Sequence, residues 1–331
     1  MSGHIELDGM RQPDFNGTLF SMVLDSEREI ECFNNLKTAS YKFTYSDRDK
    51  VLSTGADSVR NGEFSFTFPV PLDINYSNES GLISLFAVSE MGQAAGTYTD
   101  FIVGGTDSGI GRDSLGPDIR MYLNSPSFQY GSKVNVMPTL VVSLSDESGL
   151  NVSGNGLGHD IMLVIDGKRT MSWVLNGYFE QEPGDWTAGT IRFRIPEPLS
   201  EGRHKLVVRA WDNMNNSNSV QLEFKVEEGL APGVSVDVTE SPAREHTKFI
   251  ISHDRPMQDV RIGVQVYDSH GVLQWSSDGR DSHETGVVML DWNLCGNGGH
   301  RLPAGLYIVR ATVSDDNSTR SAQCKMVIAA P

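Results

Sequence analysis

The chain has 331 residues, 38% of them hydrophobic, with five Trp, nine Tyr and 14 Phe, and a formal net charge of −16. That is enough apolar material for packed cores and too much length for one sandwich, so two to three domains of roughly 100 residues each are expected. The acid excess repels phosphate and argues against nucleic acid, no apolar run approaches the roughly 20 residues of a membrane helix, and the cysteines, 3 in all, are too few for a disulfide scaffold.

Residues 1–10 are polar and acidic and carry no apolar signal-peptide core. The chain opens at once in strand-like sequence at 4–9, so it reads as a piece whose export signal lies upstream of Met1. No long helical spacing is present. Alternating and β-branched runs, bounded by Gly, Asn, Asp, Ser and Pro, recur instead at roughly ten-residue spacing, the mark of antiparallel sandwiches. The expected fold class is all-β, with three consecutive immunoglobulin-like β-sandwich domains at 1–112, 117–229 and 230–331.

In the first domain strands are predicted at 18–24, 41–45, 63–69, 82–87 and 98–103, punctuated by Gly17, Gly55, Gly62 and Gly81. Phe64, Phe66 and Phe68 alternate with Ser65 and Thr67, which makes a core wall rather than a ligand platform. The stretch 103–117 is a linker by composition. Gly104, Gly105, Gly109 and Gly111 only superficially resemble a phosphate loop, because neither a helix-forming run nor a lysine follows.

The second domain has predicted strands at 118–122, 139–145, 161–165, 172–175, 191–195, 205–211 and 220–226. Along the sixth, Leu206, Val208 and Ala210 share one face and Val207, Arg209 and Trp211 the other. Two strand-end loops are rich in oxygen, 146–151 and 212–216. Calcium takes six to eight oxygens, and paired loops can supply them, so Asp146, Asn151, Asp212 and Asn215 are the calcium candidates. The plainer alternative is that these side chains bond their own turns. Trp173, Tyr178, Trp186 and Tyr122 would have to be exposed together to bind carbohydrate. His159 and Asp160 are the first pair to inspect for an unrecognised enzyme site.

A glycine-bearing boundary at 229–233 opens the third domain, with strands predicted at 234–238, 247–251, 259–267, 286–292, 305–314 and 323–328 and a turn at 268–271. The run from Trp292 to Val309 reads as strand, glycine-rich turn, Pro-x-Gly corner and strand, with Gly296, Gly298 and Gly299 expected to supply backbone angles closed to other residues. Cys295 and His300 flank that turn, but a surface loop offers nothing to depress a thiol pKa. Cys295 and Cys324 either pair or stay free, and Cys32 stands apart. No catalytic residue and no zinc spacing is identified.

The 292–309 run resembles the small immunoglobulin-like domain at the end of flagellar-hook capping proteins and of type IX secretion cargo. The resemblance widens through ordered motifs: 3–14, 62–71 with Ile74-Asn75-Tyr76, 101–105, 116–124, 144–151, 156–161, 175–179, 199–206 and 209–217. Together they resemble the region that follows the catalytic domain of gingipain-family cysteine peptidases acting as type IX secretion sortases. The resemblance implies a non-catalytic structural and interaction segment at the cell surface or outer membrane of a Gram-negative bacterium. It implies as partners proteins of the outer-membrane secretion machinery and cargo C-terminal domains. The family's catalytic Cys and His belong to an upstream caspase-like domain; nothing here matches them, and no cofactor is implied. The alternative is a stand-alone surface adhesin or carbohydrate-binding sandwich.

Overall fold

A computed structural model describes residues 1–33, 37, 41–72, 74–105, 113–153 and 158–330. Gly109 and Gly111, with the rest of the predicted linker at 106–112, and the Gly156-Leu157 part of one motif lie outside the described residues. Apart from two single 3-10 turns, Arg169–Met171 and Asn176–Tyr178, every regular element described is a β-strand. The all-β reading of the sequence is therefore the observed one, and the ladders whose register is described are antiparallel except where Lys133–Val134 runs parallel to Ser217–Val226.

The chain divides into two compact units. The first comprises Met1–Met121, Val142–Ile191 and Lys205–Leu222; the second comprises Tyr122–Val141, Arg192–His204 and Glu223–Pro331.

In the first unit a four-stranded sheet runs in the order Gly92–Tyr98, Leu82–Ser89, Gly17–Leu24, Val51–Val59. Period-two alternation sends Leu19, Val23, Ile83 and Ala87 inward, where each is at most 3% exposed. Ile5, Phe15, Phe66, Ile74 and Val103 complete that core. A ribbon of Ser2–His4 with Glu63–Ser65 supplies part of the opposing layer. The predicted strand at 63–69 is thus cut to Glu63–Ser65. Pro69 and Pro71 have no N–H to give a ladder. The phenylalanines still form the expected wall: Phe66 is buried, Phe64 and Phe68 pack on the core, and successive ring centroids are 6.5 and 6.0 Å apart. The predicted strand at 98–103 resolves into the end of Gly92–Tyr98 and a separate Ile102–Val103 paired with Glu79–Ser80. Gly92–Tyr98 and Val51–Val59 carry too few large apolar residues to show a period in sequence. The sheet recruits them through backbone hydrogen bonds.

The middle strands make two sheets. One is ordered Asp118–Leu123, Thr139–Ser145, Asp185–Arg194, Phe179–Glu182; the other is ordered Lys133–Val134, Ser217–Val226, Gly202–Trp211, Met162–Ile165, Ser172–Val174. Leu206, Val208 and Ala210 are fully buried, as their alternation requires.

The second unit packs a three-stranded sheet (Val234–Val238, Thr247–His253, Val287–Trp292) and a four-stranded one (Leu273–Asp281, Val260–Tyr267, Gly305–Ser314, Thr319–Ile328) around one core. Phe249, Trp275 and Trp292 form an aromatic trio with centroids 5.4 to 5.7 Å apart. The Trp292 indole N–H donates to the Cys295 carbonyl at 3.0 Å. Of the three turn glycines only Gly299 has positive φ, at 77°. Gly296 is required for space instead: a Cβ there would lie 3.0 Å from the Gln274 carbonyl oxygen. All three cysteines are free thiols. Cys324 packs on the core, and burial followed by the Asp237 charge pushes its thiol pKa up.

Among the described residues Arg255 is the largest fully buried side chain. Its guanidinium donates to the carboxylates of Asp254 (2.7 Å) and Asp315 (3.3 Å) and to the backbone carbonyl of Leu230. Burial alone would raise the Asp315 carboxyl. Hydrogen bonds from Asn317 and Ser318 and the Arg255 charge reverse this and hold it below the ordinary range. The adjoining loop is pinned as well, with the Thr139 hydroxyl donating to the Pro256 carbonyl at 2.8 Å. Arg255→Ala leaves two carboxylates without their cation, and is expected to cost about 3–5 kcal/mol in denaturant unfolding followed by fluorescence of the Trp275–Trp292 pair. A loss below about 1 kcal/mol would show that solvent already reaches the guanidinium.

Candidate metal centre

Three carboxylates of the first unit converge at strand ends: Asp113, Asp146 and Asp212, each with an oxygen within 4.8 Å of the others. Asp146 ends the Thr139–Ser145 strand and Asp212 ends Gly202–Trp211. The loops that follow are stitched together. Asn213 donates its backbone N–H to the Gly149 carbonyl at 3.0 Å and its side-chain amide to the Ser148 carbonyl at 3.1 Å. Gly149 has φ 79°, and a Cβ there would meet Asn213 Nδ2 at 2.7 Å and Trp186 Cε3 at 3.0 Å. Glycine is demanded at that position by both angle and space.

Each carboxylate has a different environment. Asp212 is 0% exposed. It accepts from the Met214 and Asn216 backbone N–H groups at 2.9 and 2.6 Å and from the Asn216 side-chain amide at 2.8 Å. Asp113 accepts from the Ser148 hydroxyl and the Leu115 N–H, in that order of weight, and is held below the ordinary carboxylate range. Asp146 accepts the Ser148 N–H at 2.7 Å, but burial first, then the charges of Asp212, Asp113 and Glu147, raises it to about 6. Three like charges with incomplete solvation form a site that a cation would neutralise. Three monodentate carboxylates cover about half of a calcium ion's six to eight oxygens, leaving the rest to water or carbonyls.

Of the four sequence candidates, Asp146 and Asp212 meet. Asn151 is buried beside them in sequence, but its Oδ1 accepts from Ser153 N–H and hydroxyl at 3.3 and 2.7 Å. Asn215 takes φ 65° at the turn. Asp113 went unnoticed in sequence because it sits in the segment read as linker and only the folded chain delivers it. The other candidates are dispersed. Among Trp173, Tyr178, Trp186 and Tyr122 only Tyr178 is exposed, at 49%, and Trp186 closes over Gly149. His159 packs its ring 4.2 Å from that of Trp211. The Cys295 thiol donates to the Asn293 carbonyl at 3.6 Å.

No family model matches the chain, and no curated protein matches it. Solved structures do. The chain is similar to PorU. The crystal structure of dimeric latent PorU from Porphyromonas gingivalis aligns at 30% identity over 98% of this chain and 30% of PorU, with a TM-score of 0.40. The present chain therefore spans about 30% of the length of PorU. A tetra-tandem repeat from the extending region of a large adhesion protein aligns at 14% identity over 94% of this chain and 66% of its own, TM-score 0.24. A Bacteroides ovatus protein of a mixed-linkage glucan utilization locus, solved with a heptasaccharide, aligns at 10% identity over 99% of this chain and 63% of its own, TM-score 0.29.

The raised Asp146 carboxyl has a definite sign. Folding disfavours its ionisation, so its contribution to stability is complete below the unfolded value near 4 and is lost as pH rises through about 6. Asp146→Asn keeps an acceptor for Ser148 and removes the charge. The variant is expected to match the parent at about pH 4 and to exceed it at pH 7 by about 1–2 kcal/mol after allowance for screening. Thermal melts of both proteins across that range are the check, and parallel curves would refute it.

Proposed function

We propose that this chain is a non-catalytic structural and interaction segment of a cell-surface type IX secretion sortase of the PorU kind, a cysteine peptidase whose catalytic domain is a separate part of the protein. The observation that carries the reading is the ordered series of motifs from 3–14 through 209–217, which runs through the chain in the order of the family's post-catalytic region. Architecture supports it: antiparallel sandwiches hold their loops at fixed separations and suit spacing and docking. In this reading the modules are three, at 1–112, 117–229 and 230–331, and the last is of the type IX C-terminal kind. The protein sits outside the cytoplasm at the outer membrane. Its partners are proteins of the secretion machinery and the C-terminal domains of cargo.

The coding sequence in its native locus is the first test. A reading frame that continues upstream of Met1 through an export signal and a caspase-like Cys and His domain is the expected result. A native start at Met1 would sink the sortase reading and bring forward the surface adhesin or glycan-binding one. Labelling of Cys32, Cys295 and Cys324 by an alkylating reagent is expected at ordinary thiol rates, slowest at the half-buried Cys324. A hyper-reactive Cys295 would contradict a segment without catalysis.

The three carboxylates are where a divalent cation would act in such a segment, by neutralising Asp113, Asp146 and Asp212 and tightening two loops. Melting in excess calcium and in chelator reads this directly. A rise of a few degrees that Asp146→Asn diminishes is the expected outcome, and identical melts would remove calcium from the account.

A further inference from the structure

One arginine of the second unit is left with almost nothing to bond. Arg194 ends the Asp185–Arg194 strand and is half-buried. Its guanidinium makes a single hydrogen bond, a long one of 3.5 Å from Nη1 to the Met257 carbonyl, and has no ion pair among the described residues. Its Nε is buried with no partner at all. A buried donor without an acceptor is rare in folded proteins and marks a place where one is missing. Arg194 lines a cleft of about 280 Å³ that lies wholly within the second unit.

The cleft is held by hydrogen bonds between the segments that line it. The Asn135 amide donates to Gln258 Oε1 at 3.3 Å, and the Gln258 amide donates to the Met137 carbonyl at 3.4 Å. Buried Arg255 ties the Leu230 carbonyl to the Asp315 carboxylate. Three carboxylates belong to the lining, and two of them are answered: Asp259 pairs with Arg280 at 2.7 Å and Asp315 with Arg255 at 3.3 Å. Asp316, at the turn after Gly305–Ser314, is exposed and has no ion pair among the described residues. The cleft thus carries one cation and one anion without partners, Arg194 and Asp316, and these two do not pair with each other. Val136, Met137 and Leu230 add a half-buried apolar surface to the same lining.

We propose that this cleft binds a free apolar α-amino acid as its zwitterion, the carboxylate on Arg194, the ammonium on Asp316 and the side chain against Val136, Met137 and Leu230. Charge selects that occupant. A simple anion would answer Arg194 and leave Asp316 facing a like charge; a simple cation would do the reverse. A molecule that carries both charges a few atoms apart answers both groups. The planar fork of a guanidinium takes a carboxylate through two parallel hydrogen bonds, which is the acceptor that Arg194 lacks. Size sets the other limit, because the cleft falls below the roughly 300 Å³ at which pockets for drug-sized ligands begin. A residue inside a polypeptide brings neither main-chain charge, and a chain end brings one, so a free amino acid is favoured over a peptide. The site stands apart from the sortase reading and from the carboxylate cluster of the first unit.

Titration of the full chain with L-leucine, followed by NMR, tests it. Saturable binding is expected, with N-acetyl-leucine, which lacks the ammonium, and leucine amide, which lacks the carboxylate, each weaker by about tenfold or more. Arg194→Gln and Asp316→Asn are each expected to weaken leucine by about tenfold or more. Asp316 sits in an exposed turn, so its variant reads the site even where Arg194→Gln fails to fold. Lys325→Gln removes an exposed charge that does not line the cleft and is expected to leave binding intact. No binding at about 10 mM leucine, equal binding of leucine and its two blocked forms, or leucine affinity untouched by Asp316→Asn would each overturn the proposal.

Discussion

An antiparallel sheet buries one face and must leave its polar work to its ends and edges, and the rest of this structure follows from that constraint. Inner positions are taken by Leu19, Val23, Ile83 and Ala87 in one sheet and by Leu206, Val208 and Ala210 in another. None of them can bind, ionise or react. Chemistry is displaced to strand ends, where Asp113, Asp146 and Asp212 meet.

Strand ends are costly places to gather like charges. Asp212 is tolerated inside because three hydrogen bonds from Met214 and Asn216 solvate it in place of water. Asp146 accepts the Ser148 N–H, which does not offset its burial and the charges of Asp212, Asp113 and Glu147, and its carboxyl rises. The same accounting, with the opposite result, operates in the second unit. There Arg255 is fully buried and its charge is answered by Asp254, Asp315 and the Leu230 carbonyl. Nearby, His253 accepts the Arg255 N–H on Nδ1 and so holds its proton on Nε2, facing Asp281 at 2.8 Å. Hydrogen bonds and opposite charge answer Arg255 within the second unit, whereas the first keeps unbalanced acid at its loops.

Much of the fold was legible in the sequence. Strands with full apolar alternation, such as Gly202–Trp211, Val260–Tyr267 and Gly305–Ser314, declare themselves because their period matches the pleat. Gly92–Tyr98, Val51–Val59 and Arg28–Cys32 do not, because backbone pairing rather than side-chain burial recruits them. The glycines of the 296–299 turn were misread in part for a related reason. Gly299 is required by its angle, but Gly296 is required by the nearness of Gln274, a neighbour distant in sequence.

By itself the sequence determined the fold class, the placing of Asp146 and Asp212 on oxygen-rich loops, and the family likeness, since each rests on local residue order. Only the tertiary structure decided that Asp113 joins those two and that Trp186 is spent on Gly149. These depend on which strand ends and edges come to lie side by side. That is settled by long-range pairing, and no local pattern of residues records it.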